Sequence, residues 1–375
     1  MKYMASYQLE LPRRIVFGEN SLEKLGDWPE FRRKILIVCG ASAVRNGLTE
    51  RLQNALPDGT ACTVFDRVAP EPTLALLAQV CEAVRSSGAE AVVALGGGSA
   101  MDVGKVAAAV ARENVPVEEY FYKRRPVPCG GLPFAALPTT AGTGAEVTPN
   151  AVLIDEATGI KQSVRSAYLL PGLALVDPAL SMSCPPRVTA ASGMDALTQG
   201  MESYISRKAS RATRPLALEG VKLIWNALPA AYRDGSDPAA RSAMAEGTLL
   251  GAMAFGASGL GAVHGLAHPV GAKTHLGHGL VCGRLLPAVL RRNLPAAGEA
   301  MTEMAHALGL PDAEALIEGV ERLLRTLDFP EKLGPLGLKE EDFDWIVANS
   351  RSGSMKCNPR DFSDGELKKI LAEVL

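Results

Sequence analysis

The sequence is poor in histidine, with five in 375 residues. It also lacks an excess of charge of either sign. The formal net charge is −2 and no basic stripe is visible, which argues against nucleic acid as a partner. It lacks any CxxC pair. The seven cysteines (Cys39, Cys62, Cys81, Cys129, Cys184, Cys282 and Cys357) are odd in number and widely spaced. Neither a disulfide framework nor a thiolate zinc site is indicated, and a reducing compartment fits. Long unbroken apolar runs are missing too. The most apolar stretch, residues 249–263, is short for a membrane span and is interrupted by Gly251, Gly256, Gly259 and Gly261, so it reads as a buried helix. The first residues lack the apolar core of a signal peptide. A soluble, cytoplasmic chain with no membrane partner is expected. Its length suggests two or three domains.

What is present is concentrated. Four of the five histidines fall between positions 264 and 278: His264, His268, His275 and His278. On a helix, His264 and His268 share a face. Pro269 and Gly271 are expected to disturb that helix, and Gly277 and Gly279 to hold His278 in a turn. Two imidazoles from a helix and a third from a loop suit a divalent metal, because neutral imidazole is its commonest nitrogen ligand. Upstream, Asp195 and Gln199 stand four apart on a helical segment. Their carboxylate and amide oxygens complete a donor set with His264 and His278.

The first half alternates strand and helix. Apolar runs at residues 34–38, 62–65, 91–95 and 133–137 are separated by helical patterns, notably at 72–87. A last run lies at 173–176. This argues for a parallel sheet covered on both faces, with ligands beyond the carboxyl ends of the strands. After the third run comes GGGSAMDVGK, residues 96–105. Its glycines allow close backbone approach to a diphosphate, and the following helix offers free N–H groups. Ser99 and Asp102 match a capping box. The run is not a GxGxxG fingerprint, and a tight strand–helix connection explains it equally well. After the fourth run comes PTTAGTGAEVT, residues 138–148. Its threonine hydroxyls suit ribose and carboxamide groups, or else a polar loop capping a helix. Two such loops on one sheet favour a dinucleotide. Residues 152–155 and 160–164 read as a hairpin carrying Lys161.

Beyond about residue 184 the alternation stops. The clearer segments, 188–205, 215–228, 239–255, 280–290, 313–326 and 364–375, are all helical in period. The expected division is an α/β dinucleotide-binding domain over residues 1–183 and a helical metal and substrate domain over 184–375.

GGGSAMDVGK, PTTAGTGAEVT, GMDALTQ and HGLAHPVGA followed by His278-Gly279, in this order and spacing, resemble the iron-containing (group III) alcohol dehydrogenases. The likeness runs from LPRRIVFGENSLEKL near the start to SMKCNPR near the end. It implies a Rossmann-like α/β domain followed by an all-α domain, an architecture shared with dehydroquinate synthase. It also implies NAD(P)-linked redox of small alcohols and aldehydes, and a homo-oligomer. Matched residue by residue, it gives Gly97, Gly98 and Ser99 to the pyrophosphate. Asp102, Thr139, Thr140 and Thr143 line the cofactor, with Lys161 near its ribose. Asp195, His264 and His278 match metal ligands, and His268 a histidine beside the substrate.

Two departures stand out. The family's metal motif usually has His where this chain has Gln199, a weaker neutral ligand. Fe2+ remains the first expectation and Zn2+ the second. NAD-preferring members often carry Asp where the first strand ends, to bond the ribose and repel a 2′-phosphate. Here that position is Gly40, with Ser42 and Arg45 nearby, which leans toward NADP(H). The competing readings are a metal-independent NAD(P)H reductase in which His268 or Lys161 supplies the proton, and a non-catalytic nucleotide-binding protein.

Overall fold

The computed structural model describes residues 7–113 and 115–375, and the chain divides into two units. One is Glu10–Cys184; the other is Pro185–Leu375 together with the described residues up to Leu9.

Short apolar, β-branched runs build the first unit. Its strands are β1 (Arg14–Phe17), β2 (Lys34–Cys39), β3 (Ala61–Phe65), β4 (Ala91–Gly96), β5 (Phe134–Pro138), β6 (Asn150–Asp155), β7 (Ile160–Arg165) and β8 (Leu173–Val176). Six form one sheet in the order β1-β8-β5-β4-β2-β3, parallel throughout, while β6 and β7 pair antiparallel as a hairpin. The helices are α1 (Ala41–Arg45), α2 (Leu48–Asn54), α3 (Leu74–Ser87), α4 (Gly98–Val110) and α5 (Val117–Phe121).

Side chains alternate across this sheet. Ile35, Ile37, Val93, Leu95, Ala135 and Leu137 enter one core with Leu22, Leu25 and Leu52. Leu36, Val38, Val92, Ala94 and Ala136 enter a second core with Leu77 and Val80 of α3 and Val103 and Val106 of α4. Burial on both faces explains why these strands read as continuous apolar runs rather than alternating ones. Each buried Val, Leu or Ile among them contributes roughly 1.5–3 kcal/mol of transfer free energy. Strand β1 gave no such signal, because all four of its residues are only half-buried.

Strand order reverses at β2, which has β3 on one side and β4 on the other. That is the switch point of an open parallel sheet, where the crevice beyond the strand ends opens. Cys39 pairs with Leu95, so the turns at Gly40 and Gly97 lie side by side there. The first turn of α4 departs from the capping-box expectation. Its N-cap is Gly97, with no side-chain cap. The carboxylate of Asp102 instead accepts the Val152 N–H at 2.8 Å, tying α4 to β6.

The second unit is helical throughout its described residues: α6 (Pro186–Ile205), α7 (Thr213–Arg233), α8 (Pro238–Ser258), α9 (Ala262–Thr274), α10 (His278–Ala307), α11 (Ala313–Thr326), α12 (Phe343–Asn349) and α13 (Asp364–Val374). Among the described residues no single helix is long and apolar enough to cross a membrane. The apolar pair α8 and α9 bends by 99° at its break.

Two local expectations are corrected. Pro269 and Gly271 do not end their helix; α9 continues to Thr274 and stops at His275, with φ 57°. The buried stripe of Val263, Leu266, Ala267 and Val270 outweighs the hydrogen bond that Pro269 cannot make. His278 is not in a turn but is the first residue of α10, which itself passes through Pro287 and Pro295.

Glycine sets how closely the helices approach. A Cβ on Gly220 of α7 would stand 2.7 Å from the Gly247 carbonyl oxygen of α8, which is backbone and cannot yield. Gly298 in α10 has nothing within 4 Å of the same position. Gly220→Ala is therefore expected to destabilise by about 1–3 kcal/mol. Gly298→Ala is expected to stabilise by up to about 1 kcal/mol. Thermal midpoints of the two variants, moving in opposite directions from the parent, are the check.

Candidate functional site

Three helices of the second unit converge on one cluster. Asp195 lies in the middle of α6, His264 in the first turn of α9, and His278 at the start of α10. A Cβ on Gly279 would stand 2.1 Å from the Ala191 carbonyl oxygen, so only glycine lets α10 start this close to α6. That approach brings the His278 Nε2 to 3.8 Å from the Asp195 Oδ1. The His264 Nε2 lies 3.3 Å from the same oxygen. Ligand atoms of Asp195, His264, His278 and Cys282 all fall within 4.8 Å of one another.

The electrostatics match a cation site. Asp195 Oδ1 and His264 Nε2 are buried, and neither has a partner in hydrogen-bond geometry. They lie 3.3 Å from each other as a close charge pair, and neither is satisfied by a well-formed hydrogen bond, so the arrangement suits a group that both can hold. Burial alone would raise the Asp195 carboxyl, but the His278 and His264 imidazoles hold it below the ordinary carboxylate range. Burial alone would lower His264, yet Cys282, Asp195 and Glu202 raise it well above its usual value. Burial pushes the Cys282 thiol up to about 12. The donor set and its unpaired atoms fit a divalent metal.

Sequence reasoning missed two members. Glu202, buried on α6, accepts from the His264 Nδ1 at 2.6 Å and from the Gly261 and Val263 N–H groups at 2.9 and 2.7 Å. It fixes the imidazole so that Nε2 faces the cluster. Glu202 is seven residues after Asp195, about two turns along one face, which was the available signal. Cys282 lies four residues after His278, so it shares that histidine's face once α10 is helical.

Gln199 lies beside Asp195 and donates from Nε2 to its Oδ2 at 3.2 Å. His268 stacks on His278, with ring centroids 4.9 Å apart and planes at 21°. His275 caps α9 and is exposed, outside the cluster.

In the first unit, the glycine turn and the threonine loop meet. A Cβ on Gly98 would lie 2.8 Å from the Thr143 side chain, and one on Gly97 3.2 Å from the Thr140 hydroxyl. The N-terminus of α4 carries no side-chain cap, so its first N–H groups stay available for an anion. The Thr139 N–H donates to the Gly96 carbonyl at 2.9 Å. Ser99 lies in the first turn of α4, and Ser42 and Arg45 are exposed on α1. Lys161 on β7 pairs with Glu71 at 2.6 Å.

Beneath the turn, Lys105 is buried and donates to the Thr148 and Asn150 carbonyls at 2.9 and 2.7 Å, with Asp102 at 3.9 Å. Burial raises the Asp102 and Glu146 carboxyls to about 6 and lowers the Lys105 amine to about 8.

Residues 12–178 match the model of the iron-containing alcohol dehydrogenases, and residues 189–375 match the C-terminal model of the Fe-containing alcohol dehydrogenase family. Alcohol dehydrogenase 4 of Saccharomyces cerevisiae (strain YJM789) is 34% identical over 369 residues, covering 96% of each chain. The crystal structure of a 1,3-propanediol oxidoreductase superposes with a TM-score of 0.93 at 31% identity, covering 99% of this chain and 100% of that one. Sulfoacetaldehyde reductase from Bifidobacterium kashiwanohense, in complex with NAD+, gives 0.92 at 31% identity, covering 100% and 99%. Fold and relatives define a two-domain oxidoreductase, with a parallel-sheet domain followed by a helical one. The chain belongs to the iron-containing alcohol dehydrogenase family, and alcohol dehydrogenase activity is the chemistry it shares with its relatives.

The buried carboxyls give a pH signature. Their folded values lie above the unfolded 3.8 and 4.5, so the stability tied to them is full below about pH 4 and is lost as pH rises through 6. The Lys105 value falls from 10.5 to about 8, so stability returns as pH climbs between those two values. Glu146→Gln is expected to flatten the decline between about pH 4 and 6 and keep the rise above 8. Urea midpoints across pH read this out, and a decline of unchanged size would show that Glu146 does not titrate there.

Proposed function

We propose that the protein is a metal-dependent, NAD(P)-linked alcohol dehydrogenase or aldehyde reductase acting on small substrates, with Asp195, His264 and His278 as metal ligands. The observation that carries this is the buried Asp195 Oδ1, with the His264 Nε2 at 3.3 Å and the His278 Nε2 at 3.8 Å, the first two atoms having no hydrogen-bond partner. When bound, a divalent metal, Fe2+ first and Zn2+ second, supplies Lewis-acid polarisation of the substrate oxygen, and the nicotinamide supplies or accepts the hydride.

The chain's own residues do the rest. Glu202 accepts a hydrogen bond from the Nδ1–H of His264, which keeps that proton on Nδ1 and leaves the Nε2 lone pair for the metal. His268, stacked on His278, is suited by type to pass the alcohol proton toward water. The N–H groups at Gly97, Gly98 and Ser99 are suited to hold the pyrophosphate. Thr139, Thr140, Thr143, Asp102 and Lys161 are assigned to the remainder of the dinucleotide by family resemblance.

The absence of a carboxylate at Gly40, with Ser42 and Arg45 exposed on α1, favours NADP(H). The 1,3-propanediol and sulfoacetaldehyde relatives support a small alcohol or aldehyde as substrate. Seven free cysteines support a cytoplasmic location, and family habit supports a homo-oligomer.

His264→Ala is expected to lose bound metal and turnover together. His268→Ala is expected to retain metal while kcat falls about 10²–10⁴-fold, the range for a lost proton-transfer group. Elemental analysis beside steady-state kinetics separates them, and parental metal content in His264→Ala would overturn the ligand assignment. The kcat/KM for NADPH is expected to exceed that for NADH, and equal values or the reverse order would refute the cofactor preference.

A further inference from the structure

Cys282 has no role among the three ligands Asp195, His264 and His278. Cys282 is fully buried, and its Sγ lies 3.5 Å from the His278 Nε2. It belongs to the same group of ligand atoms as Asp195 and His264. A tetrahedral zinc site has bonds of about 2.0–2.1 Å to nitrogen or oxygen and about 2.3 Å to sulfur, which puts neighbouring donors roughly 3.3–3.6 Å apart. The observed edges are 3.3 Å for His264 to Asp195, 3.8 Å for His278 to Asp195 and 3.5 Å for Cys282 to His278. Three of the six donor–donor distances thus lie at or near tetrahedral values, and all four ligand atoms fall within 4.8 Å of one another, with sulfur as the fourth.

The amide at position 199 does something else. Gln199 Nε2 donates to Asp195 Oδ2, while Asp195 Oδ1 is the oxygen left facing the imidazoles. An amide used this way orients the carboxylate through its N–H.

We propose that Cys282 is a neutral thiol in the metal-free protein and loses its proton to solvent as the metal binds, supplying a thiolate as the fourth protein ligand and making the site Asp195, His264, His278 and Cys282, with Gln199 positioning Asp195. This rests on the reading that the cluster holds a divalent metal. The chemical consequence is a softer donor set, which shifts the preference from the Fe2+ that family resemblance puts first toward Zn2+. The substrate oxygen would then enter as a fifth donor, an expansion that zinc tolerates.

The test uses Co2+ as a probe in the full-length protein, loaded after removal of resident metal. A cobalt–thiolate bond gives a sulfur-to-metal charge-transfer band in the near ultraviolet, a readout independent of turnover. The parent is expected to bind one equivalent of Co2+ and show the band. Cys282→Ser is expected to lose the band and to bind Co2+ at least about tenfold more weakly, while keeping its fold by circular dichroism. A parent that binds Co2+ without the band overturns the proposal, as does a band that persists in Cys282→Ser. The parent's own spectrum decides the matter if Cys282→Ser does not fold. The His264→Ala arm distinguishes the two levels. Undiminished Co2+ binding there would overturn the metal reading itself, whereas binding lost in His264→Ala with no band in the parent overturns only the thiolate.

Discussion

The site depends on one close approach of backbone. The N-terminus of α10 presses against the Ala191 carbonyl of α6, and only glycine at position 279 leaves room for it. This contact places His278 and Cys282, from one helix, against Asp195, from another. The sharp bend between α8 and α9 then delivers His264 to the same point. Donors separated by more than eighty positions in sequence meet because the middle of α6 and the starts of α9 and α10 are fixed by packing, not because any local motif holds them.

Burial gives the cluster its chemical character. A carboxylate and imidazoles removed from water stabilise one another but leave Asp195 Oδ1 and His264 Nε2 without hydrogen-bond partners. Protein interiors rarely keep such atoms unless something else satisfies them. The surrounding bonds are consistent with that view. Glu202 collects three N–H groups around the start of α9, and Gln199 occupies the far oxygen of Asp195. Each leaves one ligand atom aimed inward. In the first unit a related logic operates through backbone. Gly97 and Gly98 let Thr140 and Thr143 close in, and the uncapped start of α4 faces the switch point of the sheet.

Much of this was legible from residue order. Buried parallel strands must be apolar on both faces, so β2, β4 and β5 stood out, whereas the half-buried β1 did not. The concentration of scarce histidines marked the cluster before any geometry was known. What misled was local punctuation. Gly277 and Gly279 around His278 look like a turn, and Pro269 looks like a helix breaker, but packing made both segments helical. Reading His278 in a turn hid Cys282, because the four-residue relation exists only on a helix. Ser99 and Asp102 had capping-box spacing, yet the Asp102 carboxylate is used by Val152 from another element.

The sequence by itself determined the class: an alternating half, a helical half, and the residue types from which a family and a chemistry could be inferred. Those features are local, since period and composition act within a few turns of chain. Only the tertiary structure decided which donors meet. Whether Gln199 faces the cluster or the back of Asp195, and whether Cys282 is a packed thiol or a neighbour of three metal-type ligands, depends on sub-ångström fit between helices. No local pattern encodes that fit, because it is set by contacts between segments far apart in the chain.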